Sequence, residues 1–326
     1  MRVLVTGGAG YIGSHTAKAL AKAGHEPLVL DNFSSGHRWA VKWGRFLDWD
    51  LASTEMLPQF LEKEQVEAVL HFAASLLVGE SVLQPRKYFW NNVVNTLRLL
   101  DAMLAAGVKR MVFSSSAAVY GDPQRIPIPE DHPKQPLNPY GETKLAMERA
   151  LQWYGNAYDL KWVALRYFNA AGADPDGELG ENHNPESHLI PLVIQAALGM
   201  RPHVEVYGTD YPTPDGTAIR DYIHITDLAA AHVQALEYLA DGGQSRALNL
   251  GTGQGHSVRE VINSVGKISS RPVPFREGPR RSGDPPVLIA DASHAGKALG
   301  WKPQHSELGT IIQDAWKWHS KGIPEK

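Results

Sequence analysis

Cysteine is absent from this 326-residue chain. That excludes disulfide cross-links, thiolate nucleophiles and cysteine-based metal sites together. Long hydrophobic runs are also missing. The N-terminus has one arginine and then enters a short apolar strand, without the stretch of a signal peptide, and no later segment reaches the length that spans a bilayer. Nor is there an excess of charge of one sign. Against 32 Lys and Arg stand 35 Asp and Glu, a formal net charge of -3, which gives no electrostatic reason to expect nucleic acid or an anionic membrane as a partner. No residues stand out as a metal site, and none is expected. What remains is a soluble, cytoplasmic protein with 43% hydrophobic residues, ample for a large core and for no more than two domains.

What the chain does have is glycine at decisive places. Val3 to Val5 read as a strand, and Gly7, Gly10 and Gly13 follow at GxxGxxG spacing. The first glycine permits a tight turn, the second lets backbone approach a pyrophosphate, and the third lets a helix pack on the sheet. That helix, from about Ile12 to Ala23, directs the N-terminal amides of Tyr11 and Ile12 at the phosphates. Pro27 to Leu30 read as the second strand, with Asp31 at its end, 18 residues after Gly13. A carboxylate there accepts hydrogen bonds from the adenosine ribose and repels a 2'-phosphate, favouring NAD over NADP. Arg38 and Lys42 follow and weigh the other way, and a strand-end turn residue is the lesser alternative for Asp31.

The first half alternates strands and helices. Strands are expected at Val66–His71, Lys109–Ser114 and Trp162–Leu165, and helices at Asn91–Ala106, stopped by Gly107, and Tyr140–Ala157. This is the pattern of an α/β, doubly wound parallel sheet, with its ligand crevice at the carboxyl ends of the strands. Ala73 and Ala74, after the first of these strands, leave room for a cofactor. The second half changes character. Gly172–Ser187 reads as a long polar loop, of the kind that is mobile or ordered by a ligand, before a helix at Leu189–Leu198. Val204–Tyr207 reads as a strand and Ile225–Leu239 as a helix. Ala247–Leu250 precedes Gly251, Gly253 and Gly255 and resembles a second nucleotide loop. Because the alternation has already broken down there, a turn feeding a helix at Val258–Val265 is the expectation. The boundary falls near residue 170, giving units 1–170 and 171–326, with segments of the second possibly returning to the first.

Tyr140 stands four residues before Lys144, on the same helical face. Alone, this would be an ordinary surface pair. Ser116, however, follows a strand that ends at the crevice, where a nicotinamide cofactor is independently implied. A cationic Lys144 stabilises tyrosinate, lowering the Tyr140 pKa, and can bind the nicotinamide ribose. Tyr140 then takes a proton from a sugar hydroxyl as hydride leaves the same carbon, and Ser116 holds the reacting oxygen.

With these residues in place, the chain closely resembles the UDP-glucose 4-epimerases of the extended short-chain dehydrogenase/reductase group. The likeness is carried by Val5-Thr-Gly-Gly-Ala-Gly-Tyr-Ile-Gly-Ser-His15, Val78-Gly-Glu-Ser81, Ser114-Ser-Ser-Ala-Ala-Val-Tyr-Gly121, Tyr140-Gly-Glu-Thr-Lys144, Leu165-Arg-Tyr-Phe-Asn169 and Arg220-Asp-Tyr-Ile-His224. The resemblance implies a Rossmann-type sheet with a smaller C-terminal substrate-binding lobe. It also implies tightly held NAD, and UDP-glucose and UDP-galactose interconverted by passing hydride from C4 to NAD and back through a 4-keto sugar. Besides the residues already named, it places Asn32, Asp50, Leu51, Phe72, Asn91, Ser114 and Tyr167 by the cofactor, and Asn169, His188, Leu189, Arg220, Arg281 and Asp284 by the UDP-sugar. Arg220 is the pyrophosphate partner, against a plain loop-to-sheet salt bridge. Arg281, beside Arg280, competes with the reading of a solvated charge pair, and His188 with that of a helix-start histidine. A homodimer through Asn91–Ala106 and Tyr140–Ala157 is expected on the same ground.

Departures from the family pattern narrow the reading. Leu76 replaces a lysine that contacts the cofactor in relatives, removing one charge-assisted bond. Leu288 stands where a bulky tyrosine narrows the sugar pocket and a small residue opens it to N-acetylhexosamines. The 4,6-dehydratases and decarboxylases of this fold carry an acid just before the Val-Tyr-Gly segment, where this chain has Ala117 and Ala118. A scaffold that has lost turnover would not need intact Ser116, Tyr140 and Lys144. A dehydrogenase would release NADH.

Overall fold

The computed structural model describes residues 1–281, 283–322 and 324. Val3, Leu4 and Val5 are apolar on both faces of the strand and lose all their exposure, as a central strand covered by helices on each side requires. This strand, β1 (Arg2–Thr6), is the centre of the main sheet. Around it lie β2 (Glu26–Asp31), β3 (Arg45–Asp48), β4 (Ala68–His71), β5 (Arg110–Ser114), β6 (Lys161–Tyr167) and a further strand, Arg246–Leu250. Across the seven-stranded sheet the order is Arg246–Leu250, β6, β5, β4, β1, β2, β3. Every pairing in it is parallel. The chain winds outward from β1 through β2 and β3, then crosses back to β4. The crevice between the carboxyl ends of β1 and β4 is therefore the switch point where ligands of such sheets bind.

Two apolar layers cover the sheet. On one side, helices Tyr11–Lys22 and Ile225–Ala240 pack on Val3, Val5, Leu70, Val163 and Leu250. On the other, helices Leu57–Lys63, Asn95–Ala105 and Pro139–Tyr158 pack on Leu4, Val69, Met111 and Trp162. A separate core joins helices Leu189–Ala197, Val258–Ser269 and Leu308–Ser320 through Ile190, Ile194, Val261, Val265, Ile311 and Ile312. Among the described residues no helix is long and apolar enough to cross a membrane.

Three segments frame the site. First, the Arg246–Leu250 strand extends the main sheet, running parallel to β6 from Arg246 opposite Val163 to Leu250 opposite Tyr167. The glycine turn behind it is still no nucleotide loop, for a different reason. The Thr252 and Gly253 amides donate to the buried Asp221 carboxylate, at 2.8 and 3.1 Å, and a Cβ on Gly251 would lie 2.6 Å from it. The chain fills this anion nest itself. Second, the Asn91–Ala106 helix begins as a π-helical stretch, Phe89–Val94, before the α-helix Asn95–Ala105. The widened turn carries Asn92 inward, where it brackets Ser75 and donates to Thr143 Oγ1 at 3.1 Å.

Third, the Gly172–Ser187 segment is a fastened strap. Lys18 Nζ donates to Asp174, Asp176 and Glu178 at 2.7–2.9 Å. Ala173 and Leu179 are fully buried, and Trp318 Nε1 donates to the Glu181 carbonyl at 3.1 Å. Lys18 and Asp174 are both buried, whereas Asp176 and Glu178 stay largely in water. Removing the ammonium strands a buried carboxylate. Lys18→Met is expected to lower the unfolding free energy by about 3 kcal/mol in urea titration, and Asp176→Asn, at the exposed rim, by less than about 1 kcal/mol.

Candidate active site

The turn after β1 is shaped by sterics. Gly7 has a φ of 70°, and a Cβ on it would meet the Ala73 amide nitrogen at 2.5 Å. A Cβ on Gly13 would lie 2.3 Å from the Gly7 carbonyl, so the first and third glycines are required by the protein's own packing. Gly10 faces open space apart from one contact at 3.3 Å. It also caps helix Tyr11–Lys22 with no side-chain hydrogen bond and no acidic residue in the first turn. The positive end of the helix and its first amides are thus left for an anion. Asp31 closes the far side, its carboxylate accepting from the Ala9 and Phe33 amides at 2.9 and 2.8 Å. Burial pushes the Asp31 pKa up and these two amides oppose it. Asn32 donates to Asp50 at 2.9 Å, which brings the two adenine-side residues together. This donor and acceptor set fits a dinucleotide.

Several of the expected cofactor residues also hold the fold together. The Tyr11 hydroxyl donates to the Gly172 carbonyl at 2.8 Å, so its ring fastens the strap. Burial, then Glu181 and Glu186, push its pKa well up. The Leu51 side chain is a core residue. Phe72 lies 4.7 Å, centroid to centroid, from His232. Asn91 donates to Ser75 Oγ at 3.2 Å, beside Ala73 and Ala74.

Ser116, Tyr140 and Lys144 converge at the end of β5. Asn138 caps the helix that carries Tyr140 and Lys144, accepting from the Gly141 amide at 2.9 Å. Lys144 is buried and donates to the Ser114 carbonyl at 2.7 Å. Ser114 Oγ meets the Tyr167 hydroxyl, fixing Tyr167 at the same strand end, and burial raises the pKa of that phenol. Ser116 Oγ accepts from the Ala118 amide at 3.2 Å, which leaves its proton free to donate.

Burial governs both members of the pair. It pushes the Tyr140 phenol above its ordinary value, and only the Ser116 hydroxyl opposes it. Lys144 lies 5.8 Å from the centre of the Tyr140 ring. Burial brings Lys144 itself down to about 7, with Glu148 opposing.

Glu148 is a positioning residue that motif spacing did not single out. It continues the Tyr140–Lys144 face by one more turn. Its carboxylate accepts from Arg166 Nε and Nη2 at 2.8 and 2.6 Å and from Ser115 Oγ at 2.6 Å. Arg166 also donates to the Tyr120 hydroxyl at 2.8 Å, and Tyr120 donates to Asn249 at 2.6 Å. Nearby, His71 bridges Thr6 and Thr96 at 2.6 and 2.8 Å. Burial, then Lys144, lower its pKa to about 3, so the imidazole stays neutral.

On the substrate side, Asn169–Ala171 pairs in parallel with Tyr222–His224, making two motif stretches neighbours. Arg220 is ion-paired with Asp284, so the carboxylate orients the guanidinium and the plain salt bridge also exists. The Arg281 carbonyl accepts from the Asp284 amide at 3.3 Å, and its guanidinium lies 3.9 Å from the centre of the Tyr207 ring. His188 starts helix Leu189–Ala197 and pairs with buried Glu181. Burial lowers its proton affinity, but Glu181 outweighs it and the pKa is raised. Leu189 is half-buried against the C-terminal core. Leu288 packs beside Val119, Tyr120 and Leu145.

Residues 3–251 match the model of the NAD dependent epimerase/dehydratase family. The chain belongs to this family. Among its members, the UDP-glucose 4-epimerase of Halalkalibacterium halodurans is 51% identical over 98% of this chain and 96% of its own. The crystal structure of UDP-glucose 4-epimerase from Brucella ovis in complex with NAD superposes with a TM-score of 0.95 at 54% identity, covering 97% of each chain. That of the Bifidobacterium longum enzyme with NAD+ and UDP gives 0.94 at 39%, covering 99% of each.

The Lys144 pKa sets a sign. Between about pH 7 and the ordinary lysine value of about 10.4, the unfolded chain holds a proton that the folded chain has lost. This group's contribution to stability therefore rises with pH across that window. In cofactor-stripped protein, the unfolding free energy of wild type minus that of Lys144→Met is expected to increase from pH 7 to pH 9 by urea denaturation. A flat difference would show that the amine keeps its proton on folding.

Proposed function

We propose that this chain interconverts UDP-glucose and UDP-galactose by inverting C4 through a transient 4-keto sugar, using NAD held in the crevice between β1 and β4. The observation that carries the reading is the convergence of Ser116, Tyr140 and Lys144 at the end of β5, beside a glycine turn with an uncapped helix end.

Bound NAD supplies the hydride acceptor and donor, and its cationic ring draws the phenol pKa down. Gly7, Gly10, Gly13 and the Tyr11 and Ile12 amides hold the pyrophosphate, and Asp31 takes the ribose. Asn32 and Asp50 border the adenine, with Leu51 lending backbone. Phe72, Ala73, Ala74, Asn91, Ser114 and Tyr167 wall the nicotinamide end. Tyr140 takes the proton from the C4 hydroxyl and later returns it. Ser116 donates to the same oxygen, and Lys144 holds the ribose. Arg220, set by Asp284, grips the UDP pyrophosphate. Asn169, His188 and Leu189 border the nucleotide and sugar, and Arg281 takes the rim.

Residues 1–170 supply most of the cofactor side and 171–326 most of the substrate side, with Arg246–Leu250 contributing to the sheet. A homodimer is supported by apolar side chains left in water at Trp90, one residue before the first of the two helices expected at the interface, and at Trp153 on the second, which is 72% exposed. Without cysteines the fold needs no oxidising compartment, which suits the cytoplasm.

Tyr140→Phe is expected to lower turnover by roughly 100-fold or more while UDP binding and the melting temperature stay near wild type, measured by coupled assay and calorimetry. Chromatography after incubation with UDP-galactose, and separately with UDP-N-acetylgalactosamine, tests the reaction and the substrate range together. Conversion of UDP-galactose alone assigns Leu288 to a restrictive pocket, and conversion of both assigns it to a permissive one. Conversion of neither with NAD+ present overturns the reading.

A further inference from the structure

The strap carries the pattern Glu181-x-His183-x-x-Glu186-x-His188 immediately before helix Leu189–Ala197. Folded, it brings one ligand atom from each of these side chains to within 4.8 Å of all the others. We propose that Glu181, His183, Glu186 and His188 form a closed site for one divalent transition cation of the zinc class, a site separate from the Ser116–Tyr140–Lys144 centre.

Charge balance is the first argument. The strap's other acidic group, Asp174, Asp176 and Glu178, is already neutralised by the Lys18 ammonium at 2.7–2.9 Å. At Glu181 and Glu186, among the described residues, no lysine or arginine comes within salt-bridge distance, and the only cationic partners are the two imidazoles themselves. Glu181 is nonetheless 2% exposed. A carboxylate withdrawn from water to that degree needs a partner charge, which the two imidazoles supply when protonated and a divalent cation would supply in place of those protons.

The second argument is geometry. His183 Nδ1 lies 3.1 Å from Glu181 and 3.7 Å from Glu186. It is buried, yet it makes no hydrogen bond of acceptable direction. His188 Nδ1 is itself hydrogen-bonded to Glu181, and Glu186 accepts from the Ser187 and His188 amides at 2.8 and 2.9 Å, so the four side chains are held together around the unpaired His183 nitrogen. Both imidazoles offer Nδ1 to the cluster.

Donor type selects the cation. Two imidazole nitrogens and two carboxylate oxygens, without thiolate, suit zinc and its first-row neighbours in tetrahedral geometry. Magnesium and calcium require more oxygen ligands than the cluster offers. Four protein ligands leave no open position, so the metal is structural, holding the strap on the helix start. The His183 ring packs edge-on to Tyr11, 6.3 Å between centroids, which ties the staple to the cofactor turn.

The full-length protein, stripped with a chelator and dialysed against zinc alone, is expected to take up one equivalent per chain. That zinc should be lost as the pH falls and the imidazoles take protons. X-ray absorption should show nitrogen and oxygen at about 2.0–2.2 Å and no sulfur. His183→Gln and Glu186→Gln, checked for native circular dichroism, should each weaken uptake by roughly 100-fold. Two results would overturn the site: no stoichiometric zinc on the wild-type chain, or a shell without two imidazoles. Uptake unchanged in both variants would also do so. If a variant fails to fold, the absorption spectrum of the wild-type protein still decides.

Discussion

The buried pairing of Glu148 with Arg166 is the constraint from which the catalytic geometry follows. It ties the helix bearing Tyr140 and Lys144 to β6. Through Ser115 it also ties that helix to the end of β5, and through Tyr120 and Asn249 to the strand Arg246–Leu250. A buried ion pair is weak as a source of net stability, because both ions give up hydration, yet breaking one side costs about 3–5 kcal/mol. Its value here lies in direction. Two parallel N–H···O bonds fix both translation and rotation of the helix, so the phenol, the amine and the Ser116 hydroxyl meet where the strands end. The same carboxylate is the group that keeps the Lys144 pKa from falling further.

Much of this was legible in the chain. The strand–turn–helix start, the Asp31 position and the Tyr140–Lys144 spacing rest on local rules of backbone space and helical periodicity, and each element lies within a residue or two of its expected place. The sheet position of the Arg246–Leu250 strand was not legible, because pairing with β6 is a contact across more than 80 residues, invisible to any local period. Glu148 escaped notice because a glutamate on a helix is ordinarily a solvated residue, and only the burial of Arg166 opposite it gives it meaning. The surroundings of Tyr140 were out of reach for a related reason. Spacing reports proximity to Lys144, whereas the phenol and the amine are both governed first by their loss of water.

The two glycine turns make the same point from another side. Both follow parallel strands, and both present backbone amides. The first ends in an uncapped helix with no acid near it, and its amides remain available. In the second, the Asp221 carboxylate lies against the Thr252 and Gly253 amides. Burial pushes the Asp221 pKa up, and the hydrogen bonds from Thr252, Ala290 and Gly253 pull against it. Glycine spacing marks where an anion can be held. Whether that anion is a ligand or a side chain is settled by what the rest of the chain delivers.

The Lys18 cluster joins residues 156 positions apart. Closing a loop of that length costs about 4–5 kcal/mol of chain entropy, so one ammonium near the start of the chain offsets part of the cost of holding a segment of the second half against the cofactor turn. Opening of the strap would expose the Tyr11 turn and the start of helix Leu189–Ala197 together, so a partly opened chain would release its grip on both ligands at once.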